Sequence, residues 1–163
     1  MALTAVLALI VVAADQLTKT LAVDHLSQHS IHLVGPFRLE LSYNSGVAFS
    51  LGSGFTVPII LIAAVLIVSV AWFGRGVPST GGAVAVGLIL GGAVGNLADR
   101  VVRAHHGAVV DFIYSGFWPT FNVADSCIVC GSILLAIAIW RSGRSPAHAA
   151  DEPAGTDQGV GVP

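Results

Sequence analysis

Four long apolar stretches alternate with polar segments along this chain, at about residues 2–23, 56–73, 81–98 and 123–140. As helices rising about 1.5 Å per residue, the last three are each about 27 Å long, close to the roughly 30 Å of bilayer hydrocarbon. The first is unbroken only to residue 14 and reaches spanning length by taking in 16–23, which carries Asp15 and Lys19 to the membrane boundary. A cleaved signal peptide is the alternative reading of that first stretch, since small residues precede Asp15. No basic region separates Met1 from the apolar run, however, and removing the stretch would leave an odd number of spans. The pattern predicts an all-α membrane protein with four transmembrane helices.

The polar segment at 24–55 is the longest between spans, and within it residues 37–44 (F-R-L-E-L-S-Y-N) alternate at period two. One wet and one dry face imply a strand, and Gly35-Pro36 before it and Ser45-Gly46 after it are turn signals. A small β-rich element over about 30–55, lying on the outer membrane surface, is the expectation. The second span has no ionisable residue and reads as a lipid-facing scaffold. The third carries Gly87, Gly91 and Gly95 at four-residue intervals, a bare helix face that lets a neighbouring backbone approach closely. Past Trp140 the chain turns to Gly, Ala, Pro and Asp and cannot bury enough apolar surface to order itself. The predicted organisation is one transmembrane domain over 1–141 and a disordered tail over 142–163.

Composition sharpens the class. Hydrophobic residues make up 55% and charged residues 10%, with mean hydropathy +0.84, far from the roughly 25% charged share of soluble domains. A formal net charge of −2 and the lack of a basic run give no reason to expect nucleic acid. Cys127 and Cys130 lie inside the fourth span without further ligands at metal spacing and read as small apolar filler. With both termini cytoplasmic, the inner side holds Arg75, Arg141 and Arg144 and the outer side Lys19, Arg38, Arg100 and Arg103. That raw count does not satisfy the positive-inside rule.

The acids are few, and most sit at span ends or between spans, each with polar residues at short spacing. A carboxylate near hydrocarbon is costly and is a functional candidate. Asp111 and Asp125 flank the segment 112–124 that leads into the fourth span. Two carboxylates held close in a poorly solvated site share one proton; the ionised member can deprotonate water while the other donates to a carbonyl oxygen, which is peptide hydrolysis without metal or cofactor. Each acid also has a structural reading. Asn122 three residues before Asp125 matches a helix cap with an acidic third residue, a role compatible with catalysis, and Asp111 could pair with Arg103. Asp15 and Lys19 at i and i+4 suit an intrahelical ion pair. Arg100, one turn beyond Asn96, is placed for a loop acid or a substrate carbonyl, and Asn44 and Asn96 could donate to a bound peptide. The histidines lack an H-E-x-x-H pattern and no serine has an obvious base, so neither metal nor serine chemistry is indicated.

Five strings, D-Q-x-T-K (15–19), N-x-G-x-A-F (44–49), G-G-A-x-G-N-x-x-D-R (91–100), V-V-D-F (109–112) and F-N-x-A-D (121–125), occur in this order across the four spans. Together they resemble the lipoprotein signal peptidases, or signal peptidase II. The resemblance implies an intramembrane aspartic endopeptidase of the bacterial cell membrane that cleaves diacylglyceryl-modified prolipoproteins before the lipidated cysteine. It implies that Asp111 and Asp125 are catalytic and that Asp15, Lys19, Asn44, Gly46, Ala48, Gly92, Asn96, Arg100, Asn122 and Ala124 bind substrate or support the site. It further implies inhibition by globomycin-type cyclic peptides, contact with membrane lipid, cytoplasmic termini and an outward-facing site; a monomer is expected, though the sequence does not fix the oligomeric state. The competing class is a small proton-coupled transporter, which should place charges near the bilayer midplane and show symmetry between its halves. A noncatalytic scaffold would leave the paired acids unexplained.

Overall fold

In the computed structural model the described residues are 1–46, 56–77, 79–103, 105 and 107–142. The elements in chain order are α1 (Ala2–Leu26), β1 (Ile31–His32), β2 (Arg38–Asn44), α2 (Thr56–Phe73), a short 3-10 turn at Gly74–Gly76, α3 (Thr80–Val102), β3 (Val109–Tyr114) and α4 (Val123–Ser142). Among the described residues four helices are long and apolar enough to cross a membrane. Large side chains such as Leu9, Ile10, Leu61, Val68, Trp72 and Ile139 are exposed around them. A belt of that kind is unfavourable in water and suited to lipid.

Helix α3 is the centre of the bundle, with α1 and α4 packed on it and α2 beside it. The glycines explain how. A β-carbon at Gly91 would stand 2.6 Å from Val11 Cβ of α1, and one at Gly95 would stand 2.6 Å from Asp15 Oδ2. Gly92, on another face, leaves room for the Ala124 carbonyl and Ile128 of α4. Small residues thus bring α1 and α4 to the central helix at backbone distance. Helix α2 buries none of its residues, which accords with its uniformly apolar sequence.

The helices run further than their apolar stretches predict. α1 continues to Leu26 and α3 to Val102, where the chain turns extended at Arg103. Consequently Asp99 and Arg100, just past the predicted end of the third span, stand with Asn96 on the last turns of α3. α4 takes in Ser142, whose hydroxyl donates to the Ala138 carbonyl at 3.0 Å; the rest of the expected tail lies outside the described residues.

The three strands form one antiparallel sheet in the order β1-β2-β3 at one end of the bundle. Its composition corrects the expectation of a sheet confined to 30–55, because the third strand comes from 109–114, a segment the sequence marked only as part of a site. β2 begins at Arg38, and residues 47–55 of the expected element lie outside the described residues. A small apolar cluster of Ala22, Leu26 and Phe112, with Leu39, Leu41, Ile113 and Val123 against it, pins the sheet to the end of α1.

Candidate active site

The site forms where β2, β3 and the ends of α1, α3 and α4 meet. Asn122 and Asp125 make a reciprocal cap at the start of α4: Asp125 N donates to Asn122 Oδ1 at 2.9 Å and Asn122 N donates to Asp125 Oδ2 at 3.2 Å. This satisfies free N–H groups of the first turn and fixes the Asp125 rotamer. The chain arrives there because Phe121 turns back onto β3, exchanging backbone hydrogen bonds with Ile113 at 2.8 and 3.0 Å. Asn122 is thereby set beside Asp111, and its amide donates to Asp111 Oδ1 at 2.7 Å. One asparagine therefore touches both acids, one through its side chain and the other through its backbone.

A change of register in the sheet supplies the second partner of Asp111. Leu39 pairs with Ile113, but Ser42 pairs with Asp111, so one extra residue is accommodated in β2. Without that bulge Asp111 would stand opposite Leu41; with it, Ser42 and Asn44 share its side of the ladder. Asn44 Nδ2 donates to Asp111 Oδ2 at 3.0 Å, while Asn44 Oδ1 accepts from Gly46 N at 2.8 Å. Gly46 has φ +75°, and a side chain there would press on the Arg100 guanidinium and Ile59.

On the other flank, Asn96 Nδ2 donates to Asp125 Oδ1 at 2.8 Å. Asn96 Oδ1 accepts from Lys19 Nζ at 2.9 Å and from Asn122 at 3.1 Å, which fixes the orientation of its amide. The expected pair of Asp15 and Lys19 forms at 2.8 Å, and a second acid, Asp99, meets the same ammonium at 2.9 Å. All three side chains are 0% exposed. Ala124 N donates to Asp15 Oδ1 at 3.0 Å, tying the start of α4 to α1.

Nearly all the predicted residues converge. Asp15, Lys19, Asn44, Gly46, Asn96, Asn122 and Ala124 join Asp111 and Asp125 in one network, with Gly92 behind it as a packing residue; Ala48 lies outside the described residues. Two pairings differ from expectation. Arg103 pairs with Asp99 at 3.0 Å and not with Asp111, because both stand on α3 one turn apart. Among the described residues Arg100 forms no ion pair with a loop acid; its Nη1 donates to the Gly107 carbonyl at 2.9 Å and to that of Ser45 at 3.5 Å, bracing the two loops that approach the site.

Two residues of the network, Asp99 and Gln16, were not assigned a role from the sequence, and Arg103 was considered only as a partner of Asp111. Asp99 accepts from Val110 N at 3.0 Å, and Gln16 Nε2 donates to Asp99 Oδ1 at 2.9 Å and to the Gly95 carbonyl at 3.1 Å. Arg103 reaches the Gln16 carbonyl at 3.1 Å and Thr20 at 3.0 Å. The spacing of Asp99 and Arg103, i and i+4 like Asp15 and Lys19, was the available signal.

The Asp111 carboxyl is 1% exposed, and it titrates at about 6 instead of the ordinary 3.8. Burial is the main cause and the neighbouring Asp125 charge adds to it, while hydrogen bonds from Asn44 and Asn122 and the charge of Lys19 act in the opposite sense. Asp125 is only partly buried. The pair thus combines a carboxyl that retains its proton toward neutral pH with a second that solvent can reach. From Asn96 and Arg100 a cleft of about 330 Å3 runs between α2, α3 and α4, walled by Ile62, Leu66, Ala93, Leu97 and Ile128. Its polar end lies at the network and its walls are apolar.

A family model described as "Signal peptidase (SPase) II" matches residues 7–141. The lipoprotein signal peptidase of Rhodococcus jostii (strain RHA1) is 46% identical over 137 residues, 81% of this chain and 69% of that protein. That of Mycobacterium avium (strain 104) is 46% identical over 132 residues, 78% of this chain and 72% of that protein. Among solved structures, a bacterial membrane enzyme determined by the in meso method at 2.3 Å resolution superposes with a TM-score of 0.77 at 26% identity, covering 91% of this chain and 94% of its own. A second, at 1.9 Å resolution, gives 0.77 at 28% identity over 85% of this chain and 93% of its own. Transport finds no support among these relatives, and the acids gather at one end of the bundle. The chain is a membrane peptidase that belongs to the signal peptidase II family.

Proposed function

We propose that this protein removes the signal peptide from diacylglyceryl-modified bacterial prolipoproteins by cleaving before the lipidated cysteine, with Asp111 and Asp125 as its catalytic pair. The observation that carries the assignment is Asn122, whose side-chain amide holds Asp111 and whose backbone N–H holds Asp125, so that one residue joins two acids from different elements. Asp111, which keeps its proton to about pH 6, donates to the scissile carbonyl oxygen, and Asp125, the more accessible of the two, takes a proton from the attacking water. Because the two are coupled, the titration belongs to the pair.

The remaining residues divide the supporting work. Asn44, Asn96 and Asn122 hold the two carboxyls. Lys19 and Asp15 brace Asn96 and the start of α4, and Gly92 and Ala124 set the distance between α3 and α4. Gly46 follows β2 beside the Arg100 guanidinium, and Ala48 is assigned to substrate binding on the family resemblance alone. The cleft between α2, α3 and α4 opens sideways to lipid and fits the apolar parts of the substrate, signal peptide or acyl chains, while presenting the scissile bond to the acids. Globomycin-type peptides would occupy the same place. The protein acts as a monomer in the bacterial cell membrane, with its termini cytoplasmic and the site on the outer face.

The direct test is cleavage of a diacylglyceryl-modified precursor by purified protein. Asp111→Asn and Asp125→Asn should each lower the rate by about 1000-fold or more, as loss of one member of a coupled pair does. Retention of normal cleavage by either variant would remove it from the mechanism.

A further inference from the structure

Each of the two acids is preceded by a residue whose backbone N–H is held by a buried carboxylate. Val110 N, before Asp111, donates to Asp99 Oδ2 at 3.0 Å; Ala124 N, before Asp125, donates to Asp15 Oδ1 at 3.0 Å. These carboxylates meet at one cation, Lys19, whose Nζ lies 2.8 Å from Asp15 and 2.9 Å from Asp99. The third N–H of the ammonium goes to Asn96 Oδ1 at 2.9 Å, and Asn96 in turn donates to Asp125. All three donors of Lys19 are engaged, and Lys19, Asp15 and Asp99 are wholly buried.

We infer that Asp99 is a positioning residue of the reaction, acting with Asp15 around Lys19 as a clamp that sets the separation of Asp111 and Asp125. Four elements bring these groups together: α1 contributes Asp15 and Lys19, α3 contributes Asp99 and Asn96, and the anchored amides belong to β3 and α4. Asp99 joins the helical bundle to the sheet, since Val110 is one residue from Asp111 in β3. Its second oxygen is held by Gln16 at 2.9 Å and faces Arg103 Nε at 3.0 Å, so the carboxylate has no freedom to turn away. Two buried acids are balanced by two cations, Lys19 and Arg103, which makes the arrangement tolerable in a dry setting. A carboxylate meant only to hold helices together would not need its free lone pair spent on the backbone beside a reacting group. Misplacing such a group by about 1 Å can cost about 100-fold in rate.

The inference rests on the catalytic assignment of Asp111 and Asp125, and the experiment separates the two. Purified wild type, Asp111→Asn and Asp99→Asn are compared with a synthetic diacylglyceryl-modified precursor peptide. kcat and KM are measured over a pH series and normalised to folded protein by size-exclusion chromatography. Asp99→Asn is nearly isosteric and removes one charge from the clamp. Its kcat is expected to fall about 100-fold with KM within about twofold of wild type, and its kcat–pH profile is expected to shift, because Asp111 and Asp125 no longer hold their spacing. A wild-type kcat and pH profile in Asp99→Asn, with Asp111→Asn inactive, would overturn the clamp and leave the catalytic pair standing. Activity in Asp111→Asn would bring down the pair and the clamp together. Should Asp99→Asn fail to fold, Asp99→Glu, which keeps the charge and lengthens the arm by one methylene, is judged by the same criteria.

Discussion

At the residue scale, the distinctive feature is a carboxyl that folding makes reluctant to ionise. Asp111 titrates at about 6 in the fold against 3.8 ordinarily, chiefly because it is buried. A raised carboxyl pKa means that the folded state binds the proton more tightly than the unfolded chain does. Between about pH 4 and 6 the folded protein therefore carries more protons, and its stability falls as pH rises through that window. Below it both states are protonated at this position and no penalty remains; above it the full penalty applies. Asp111→Asn removes the titrating group, so the difference in melting temperature between variant and wild type should move in the variant's favour from pH 4 to pH 7. Thermal unfolding in detergent at the two pH values checks this, and a difference independent of pH would mean that Asp111 is not held in its neutral form. On the proposed mechanism the same residue limits activity. Once the shared proton is lost from Asp111, no donor faces the carbonyl oxygen, so kcat should decline on the alkaline side as the coupled pair loses that proton.

At the scale of elements, the glycine face of α3 decides whether the site closes. Gly95 leaves no room for a β-carbon, which would fall 2.6 Å from Asp15 Oδ2, whereas a β-carbon at Gly81 would meet nothing within 4 Å. Gly95→Ala should destabilise the fold by about 1–3 kcal/mol, the ordinary cost of overpacking, and should also lower kcat by displacing Asp15 from the Ala124 amide. Gly81→Ala, in the first turns of the same helix, should be neutral or stabilising by up to about 1 kcal/mol, since alanine is the better helix former. Unfolding by denaturant, read side by side for the two variants, tests the contrast, and equal effects would refute a packing role for Gly95. These glycines were legible in the sequence because a four-residue repeat is a periodic signal, as were the four spans and the alternation at 37–44. The cap joining Asn122 to Asp125 was legible as well, being a local pattern. What stayed hidden was everything that depends on pairing at long range. β3 is too short and too uniformly apolar around Asp111 to announce itself as a strand, and the bulge between Leu39 and Ser42 exists only relative to its partner. Asp99 was passed over because its partner Lys19 stands on another helix, invisible to a reading along one chain.

At the scale of the whole molecule, the cations explain why a raw count of charge failed to orient the protein. Three of the four at the site end are spoken for by acids: Lys19 by Asp15 and Asp99, Arg103 by Asp99, and Arg38 by Glu40 at 2.6 Å. The fourth, Arg100, is directed to backbone carbonyls. At the other end, no ion pair among the described residues involves Arg75, whose guanidinium lies over the Trp72 ring at 5.1 Å. Lys19 is wholly buried and Arg103 mostly so at the site end, whereas Arg75 and Arg141 stand at the other, and we propose on the positive-inside rule that this other end is cytoplasmic. On that proposal the site end, with Phe117 81% exposed beyond β3, faces outward. Single cysteines at Phe117 and Arg75, in a background with Cys127 and Cys130 replaced by alanine, test this in intact cells with a thiol reagent that does not cross membranes. Phe117→Cys should be labelled without lysis and Arg75→Cys only after it. The reverse pattern would turn the protein over and put the paired acids on the wrong side of the membrane for an exported substrate.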